Sequence, residues 1–350
     1  MYLDHAATSP IRPEALAAMQ EGFRIWANPS SPHAEGRKAK QALEDARERI
    51  KKALGWDGEV IFTSGASEAA SLALNRAIGG ARLVSAVEHD AILNAAPDAE
   101  RLPVKANGLL DLDYLKEAIQ RERPIVALQS LNSETGAAPQ AMPLVNSIVQ
   151  NAGGMLLVDC AQSAGKFPLP ECDMAIISAH KFGGPVGVGA LLVKQYGMLS
   201  PVGGHERGYR RGTENLPAIL GMVAALEARS APYIDPARLA PIMDFAGECE
   251  KLGGKFLSDD LSIPSPYIRA IAMPAMSASA QLVRFDMAGI AISQGSACSS
   301  GTMKTSHVLD ALQIDKELAA RTIRVSFGWN TQRAEIERFC EVWIDMARTA

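Results

Sequence analysis

The chain is 350 residues long, 47% apolar and 21% charged, with a formal net charge of −4. Enough apolar residues are present for a large core, which excludes a disordered chain, and the length favours two domains over one. The small net charge, with both signs interspersed, excludes the basic footprint of a direct nucleic-acid binder and offers nothing to an anionic membrane surface.

The chain opens with MYLDHAATSP, which lacks the basic and apolar regions of a secretion signal, and no later apolar run is long enough to span a membrane. A cytoplasmic protein is the expectation. Strands are predicted at 59–64 (EVIFTS), 81–89, 124–131, 155–160, 174–179 and 189–194, with a helical pattern over 67–78 between the first two. Strands that are apolar on both faces belong to a covered, largely parallel sheet. The stretch from Asn215 to Ser230 reads as a helix long enough to bridge two lobes, and the proline-rich APYIDPARLAPIM after it as a boundary. The remainder, with strands at 268–275 and 323–328 and helices near 306–313 and 333–348, reads as a smaller α+β domain. The five cysteines (Cys160, Cys172, Cys249, Cys298 and Cys340) are odd in number and show no CxxC spacing, so no disulfide framework and no metal site is expected.

Several chemical groups fall at the predicted strand ends, where open α/β sheets place ligands. Lys181 stands between the apolar run MAIIS and a glycine-rich turn, in SAHKFGGPVG. A lysine there is either the start of a surface loop or, if partly desolvated, a nucleophilic amine that can condense with a carbonyl cofactor. Asp159 closes the strand MLLVD; it either caps the next turn or holds a pyridinium nitrogen protonated. A lysine and an acid converging on one edge of a sheet are what pyridoxal phosphate requires. The run Thr63–Glu68 leaves a strand and opens a helix, which suits a phosphate, although Ser67 can equally be a helix cap. Ser178 and His180 flank the lysine as further phosphate donors, and His89 is either a stacking, proton-moving imidazole or a structural histidine.

The segments LDHAATSP, NPSSPHAEGRKA, FTSGASEA, VEHDAIL, LNSETG, VDCAQSAGK, ISAHKFGGPVGVGALLV, RRGTEN, QGSACSSG and SHVLDAL occur in that order along nearly the whole chain. Together they resemble the group I cysteine desulfurases, pyridoxal-phosphate enzymes of the class V aminotransferases with fold type I. The resemblance implies an α/β architecture: a large cofactor-binding domain over residues 14–230, its mostly parallel sheet flanked by helices, and a smaller α+β domain from residues 1–13 and 231–350. It implies that Lys181 bonds the cofactor, Asp159 partners the pyridine nitrogen, Gln162 donates to the phenolate oxygen and His89 stacks on the ring. Ala66, Ser67, Ser178 and His180 would hold the phosphate, joined by Thr213 from the second subunit of a homodimer. Arg324 would clamp the substrate carboxylate with help from Asn28. Ser133 stands where the family commonly has a second asparagine near the cofactor oxygen, and Trp329 where an arginine is frequent.

GSACSSG is the most discriminating string. It resembles the active-cysteine loop of group I, and its small, turn-forming residues suit a mobile loop. The implied reaction converts L-cysteine to L-alanine, with the sulfur passing to Cys298 as a persulfide and onward to an acceptor protein for iron–sulfur clusters, thio-cofactors or thiolated tRNA. Only a thiolate is an effective nucleophile there. Three other readings compete. They are a selenocysteine lyase or other class V enzyme, a non-catalytic sulfur carrier, and a nucleotide-binding oxidoreductase, for which no GxGxxG follows a strand.

Overall fold

The computed structural model describes residues 1–121, 123–138, 142–295 and 306–349. Seven strands build the main sheet: β1 (Glu59–Thr63), β2 (Arg82–Ser85), β3 (Glu100–Leu102), β4 (Ile125–Gln129), β5 (Met155–Asp159), β6 (Met174–Ser178) and β7 (Gly189–Val193). Their spatial order is β1-β7-β6-β5-β4-β2-β3. The run from β6 to β3 is parallel throughout, whereas β7 lies antiparallel to both β6 and β1. Every residue of β4, β6 and β7 is buried, as expected for a sheet covered on both faces. The sheet is therefore the mostly parallel, helix-flanked α/β layer that the strand pattern predicts.

Register decides which side chains meet. Gly189 pairs with Thr63 on one side and Ser178 on the other, and Asp159 pairs with Gln129 and Ile176. The ends of β1, β4, β5 and β6 thus share one carboxyl edge. Two glycines allow close approach there. Gly65 has φ +151°, and a Cβ on Gly189 would sit 2.5 Å from the Ile177 carbonyl and 2.9 Å from the Gly65 Cα.

A second sheet is antiparallel, in the order β10-β9-β8, from β8 (Lys255–Phe256), β9 (Ile268–Ala272) and β10 (Thr322–Ser326). Its core includes Phe245, Phe285, Phe339 and Trp343 from the helices Pro236–Lys251, Ala278–Met287 and Arg333–Thr349. Leu3 belongs to this second core, and Asp4 bridges to Ser326 on β10. The N-terminal residues therefore add to the small sheet before the chain enters the large layer.

The helix expected to bridge two lobes does something else. Leu216–Glu227 is twelve residues long and buried nearly all round within the core of the seven-stranded layer. A helix apolar on every face belongs inside, and the bridging expectation is corrected accordingly. The proline-rich stretch after it contains a helix start, with the Asp235 side chain accepting from Ala237 N and Pro236 in the first turn. Among the described residues no helix is long and apolar enough to cross a membrane.

Candidate active site

A cavity of about 410 Å³ opens at the carboxyl edge of the main sheet. Lys181, Asp159, Gln162, His89, Ala66, Ser67, Ser178, His180 and Ser133 all line it. These are nine of the residues singled out above, brought from five chain segments and spread over more than a hundred positions.

Lys181 ends a single 3₁₀ turn, Ala179–Lys181, that begins where β6 stops. Its Nζ donates to the carbonyls of Ala6 (2.6 Å) and Ala7 (2.9 Å), so the N-terminal segment holds the amine at the cavity wall. Asp159 is buried, and its Oδ1 accepts from Ala161 N at 2.9 Å. Burial pushes its carboxyl above the usual range, while the Ala161 N–H, His89 and Lys181 pull it back. The turn cap and the cavity acid are thus the same side chain.

His89 caps the helix Asp90–Ala95, its Nδ1 accepting from Ala91 N at 3.0 Å. That bond assigns the proton of the neutral ring to Nε2 and leaves the ring face to the cavity. The amide of Gln162 donates to the Ala6 carbonyl at 2.8 Å, and its buried Oε1 has no partner among the described residues. One amide N–H therefore remains for a ligand, and the orphan oxygen marks a site built for a polar guest.

The segment Thr63–Glu68, expected to suit a phosphate, takes a form that sequence reasoning only half anticipated. The helix is Ala66–Arg76 with Gly65 as its cap, so Ser67 lies inside the first turn and is not the cap. The first-turn N–H groups and the helix dipole face the cavity beside Ala66 and Ser67. Glu68 also lines the cavity; its carboxylate accepts from Ser64 N at 2.5 Å and from Arg210 Nε at 3.0 Å, which offsets the negative charge. His180 shares a hydrogen bond with Thr8 Oγ1 at 3.1 Å. Burial, with Lys181 and Lys166 nearby, pushes its ring down to about 4.

Three singled-out residues stand elsewhere. Arg324, on β10, lines a neighbouring cavity of about 390 Å³ together with Glu134 and Ser306. Its Nη1 donates to the Ser133 carbonyl at 2.9 Å, so the guanidinium sits in the wall between the two cavities. Asn28 and Thr213 are exposed and line neither cavity; Asn28 Oδ1 accepts from Ser30 N. Cys298 lies outside the described residues.

One buried acid next to Asp159 went unnoticed in the sequence. Glu88 is fully buried between β4 and the helix at His307: its Oε1 accepts from Gln129 N at 2.7 Å, and its carbonyl contacts His307 Nε2 at 2.9 Å. Burial, then the neighbouring Asp159, pushes the Glu88 carboxyl well above the carboxylate range. An acid inside the apolar run SAVEH is the signal that could have found it. Trp329, flagged as a departure, donates its Nε1 to the Pro10 carbonyl at 2.9 Å and carries the Arg12 guanidinium 4.9 Å over its ring.

A lysine at the carboxyl edge of a mostly parallel seven-stranded sheet, facing an acid from the adjacent strand, defines a fold type I enzyme of the pyridoxal-phosphate class. The aminotransferase class-V family model matches residues 1–339. A cysteine desulfurase of Gluconacetobacter diazotrophicus is 34% identical, the match covering 98% of this chain and 92% of that one. One from Cereibacter sphaeroides is also 34% identical, over 98% and 94%. Among solved structures, a NifS-like protein from Rickettsia africae superposes with TM-score 0.88 at 28% identity, covering 100% of this chain and 99% of that one. SspA in complex with cysteine superposes at 0.78 with 28% identity, over 93% and 98%. The chain belongs to the class-V aminotransferases, a pyridoxal-phosphate-dependent family, and within them to the cysteine desulfurases.

Proposed function

We propose that this chain is a cysteine desulfurase that takes the sulfur of L-cysteine and releases L-alanine, using pyridoxal phosphate in the cavity around Lys181. The observation that carries the reading is the convergence of the Lys181 amine, the Asp159 carboxylate and the first turn of Ala66–Arg76 on one 410 Å³ space. The donor set fits the cofactor: an acid for the pyridine nitrogen, an amide N–H of Gln162 for the phenolate oxygen, and Ser67, Ser178, His180 and helix N–H groups for the phosphate. When bound, the cofactor supplies the electron sink for the pair released at the substrate Cα. Lys181 takes and returns the proton at that carbon, the His89 ring covers one face of the site, and Arg324 receives the substrate carboxylate with Asn28 as a second donor.

Cys298 is proposed as the thiol that accepts the sulfur as a persulfide. Support comes from the other four cysteines, which are all buried. Burial pushes Cys160, Cys249 and Cys340 up to about 12 and raises Cys172 as well, so none is an effective nucleophile. Unpaired thiols also suit a reducing, cytoplasmic setting. From Cys298 the sulfur would pass to an acceptor protein serving iron–sulfur cluster, thio-cofactor or tRNA sulfur chemistry. A division into a large domain over 14–230 and a small one from 1–13 and 231–350 fits the placement of Leu3 in the second core. We further propose a homodimer in which Thr213 reaches the phosphate site of the partner, since it is exposed and lines neither of the two cavities described above.

Borohydride treatment of the purified yellow protein, followed by peptide mapping, should find the cofactor fixed to Lys181, and a label on any other lysine overturns the assignment. Cys298→Ser should keep the visible absorption band and its response to L-cysteine while alanine and sulfide production collapse. Turnover at the parental rate removes Cys298 as the acceptor.

A further inference from the structure

We propose that Asp4 is the positioning residue that fixes the Arg324 guanidinium for a substrate carboxylate, a proposal that rests on the reading that Arg324 receives that carboxylate. Asp4 Oδ1 lies 2.7 Å from Arg324 Nη2, and the Ser133 carbonyl takes Nη1 at 2.9 Å. The arginine side chain is 7% exposed and the aspartate 17%, so water screens the pair little. Two of the three guanidinium nitrogens are thus tied to protein. The third, Nε, is buried with no partner among the described residues.

The anchor is itself rigid. Ser326, two residues after Arg324 on β10, donates from its N to the Leu3 carbonyl at 2.8 Å, and its Oγ accepts from Ala6 N at 2.8 Å. Asp4 is therefore held against the strand that carries its partner. An arginine side chain has several rotatable bonds, and ordering it at the moment of binding opposes affinity; two fixed donors remove that cost beforehand. A buried donor left unpaired is costly, and a planar carboxylate is the ligand that the remaining N–H groups suit. Glu134 also lies near this guanidinium, but its carboxylate accepts from Ser306 Oγ at 2.5 Å. Among the described residues, the direct ion pair of Arg324 is the one with Asp4.

The sign of the effect separates positioning from competition. If Asp4 positions Arg324, removing it weakens carboxylate binding; if it merely occupies the arginine, removing it tightens binding. The test titrates the holoenzyme spectrally with L-alanine, which has the α-carboxylate, and with cysteamine, which lacks it. Asp4→Ala should raise the Kd for L-alanine and the KM for L-cysteine on the order of tenfold, with kcat changed less and cysteamine binding unchanged. Asp4→Asn, which keeps the shape of the site, should show a smaller loss with the same selectivity, and Asp4→Glu should restore part of it. On an Arg324→Ala background, Asp4→Ala should add nothing. Equal loss for cysteamine, tighter L-alanine binding, or full additivity with Arg324→Ala overturns the proposal. If Arg324→Ala alone leaves L-alanine binding intact, the carboxylate role of Arg324 fails and the proposal falls with it.

Discussion

His5 ties stability to pH with a definite sign. The ring is buried, bonded to Ser9 Oγ at 3.1 Å and facing the edge of Tyr2 at 5.2 Å. Burial, then Lys166, lowers its pKa from 6.5 to about 3. Below 6.5 the unfolded chain takes up a proton that the folded chain refuses, so the unfolded state binds more protons and stability falls as the pH drops through that window. Thermal unfolding of the parent should therefore weaken more steeply on acidification below 6.5 than that of His5→Gln, whose side chain does not titrate. Parallel slopes would show that the ring is not held neutral. At this scale the sequence was most legible where a polar residue closes an apolar run, as Asp159 closes MLLVD and Lys181 follows MAIIS. It was silent where the meaning of a residue lies in a distant partner: Asp4 pairs with Arg324 across 320 positions, and no local pattern encodes that distance.

Between elements, one buried ion pair connects three parts of the large layer. Arg47, on the helix Ala34–Leu54, forms a two-pronged pair with Glu206, Nη1 to Oε2 at 2.9 Å and Nη2 to Oε1 at 3.2 Å. Glu206 also accepts from Phe62 N on β1 at 2.8 Å, and it takes the left-handed φ of +48° that lets its side chain turn inward. This contact roots the segment 205–215, which carries Thr213, to the edge strand of the main sheet. Breaking such a pair strands one charge, so Glu206→Ala should cost roughly 3–5 kcal/mol in denaturant unfolding. Replacing both partners, as in Arg47→Met with Glu206→Leu, should cost less than the single change, and equal costs would refute the account. Composition suggested these strands correctly because β7 is apolar along its length and β4 and β6 are apolar up to their last residues, Gln129 and Ser178. The same rule misleads for Leu216–Glu227, a helix apolar up to its last residue that reads as a connector although most of its surface is buried in the core. The prolines of APYIDPARLAPIM hid the start of the helix Pro236–Lys251, which carries Pro241 inside it.

For the molecule as a whole, exposed apolar groups decide what remains to be covered. Phe23, near the end of the helix Pro13–Arg24, is 66% exposed, and Trp26 beyond it is 78% exposed. Large aromatic side chains standing in water mark a contact surface, and Trp is among the residues that carry interface energy. A second copy of the chain is the occupant that the proposed sharing of Thr213 requires. Light scattering should therefore give about twice the chain mass of 37.3 kDa, and Phe23→Ser combined with Trp26→Ser should move the population toward monomer. If the partner contributes to the phosphate seat, diluting that double variant should release pyridoxal phosphate at concentrations where the parent retains it, because binding of the cofactor and of the second subunit are then linked. Thr213→Ala, which leaves the aromatic pair in place, should weaken cofactor retention without changing the mass. A monomer that holds the cofactor as tightly as the parent would detach assembly from the site and leave Thr213 a surface residue.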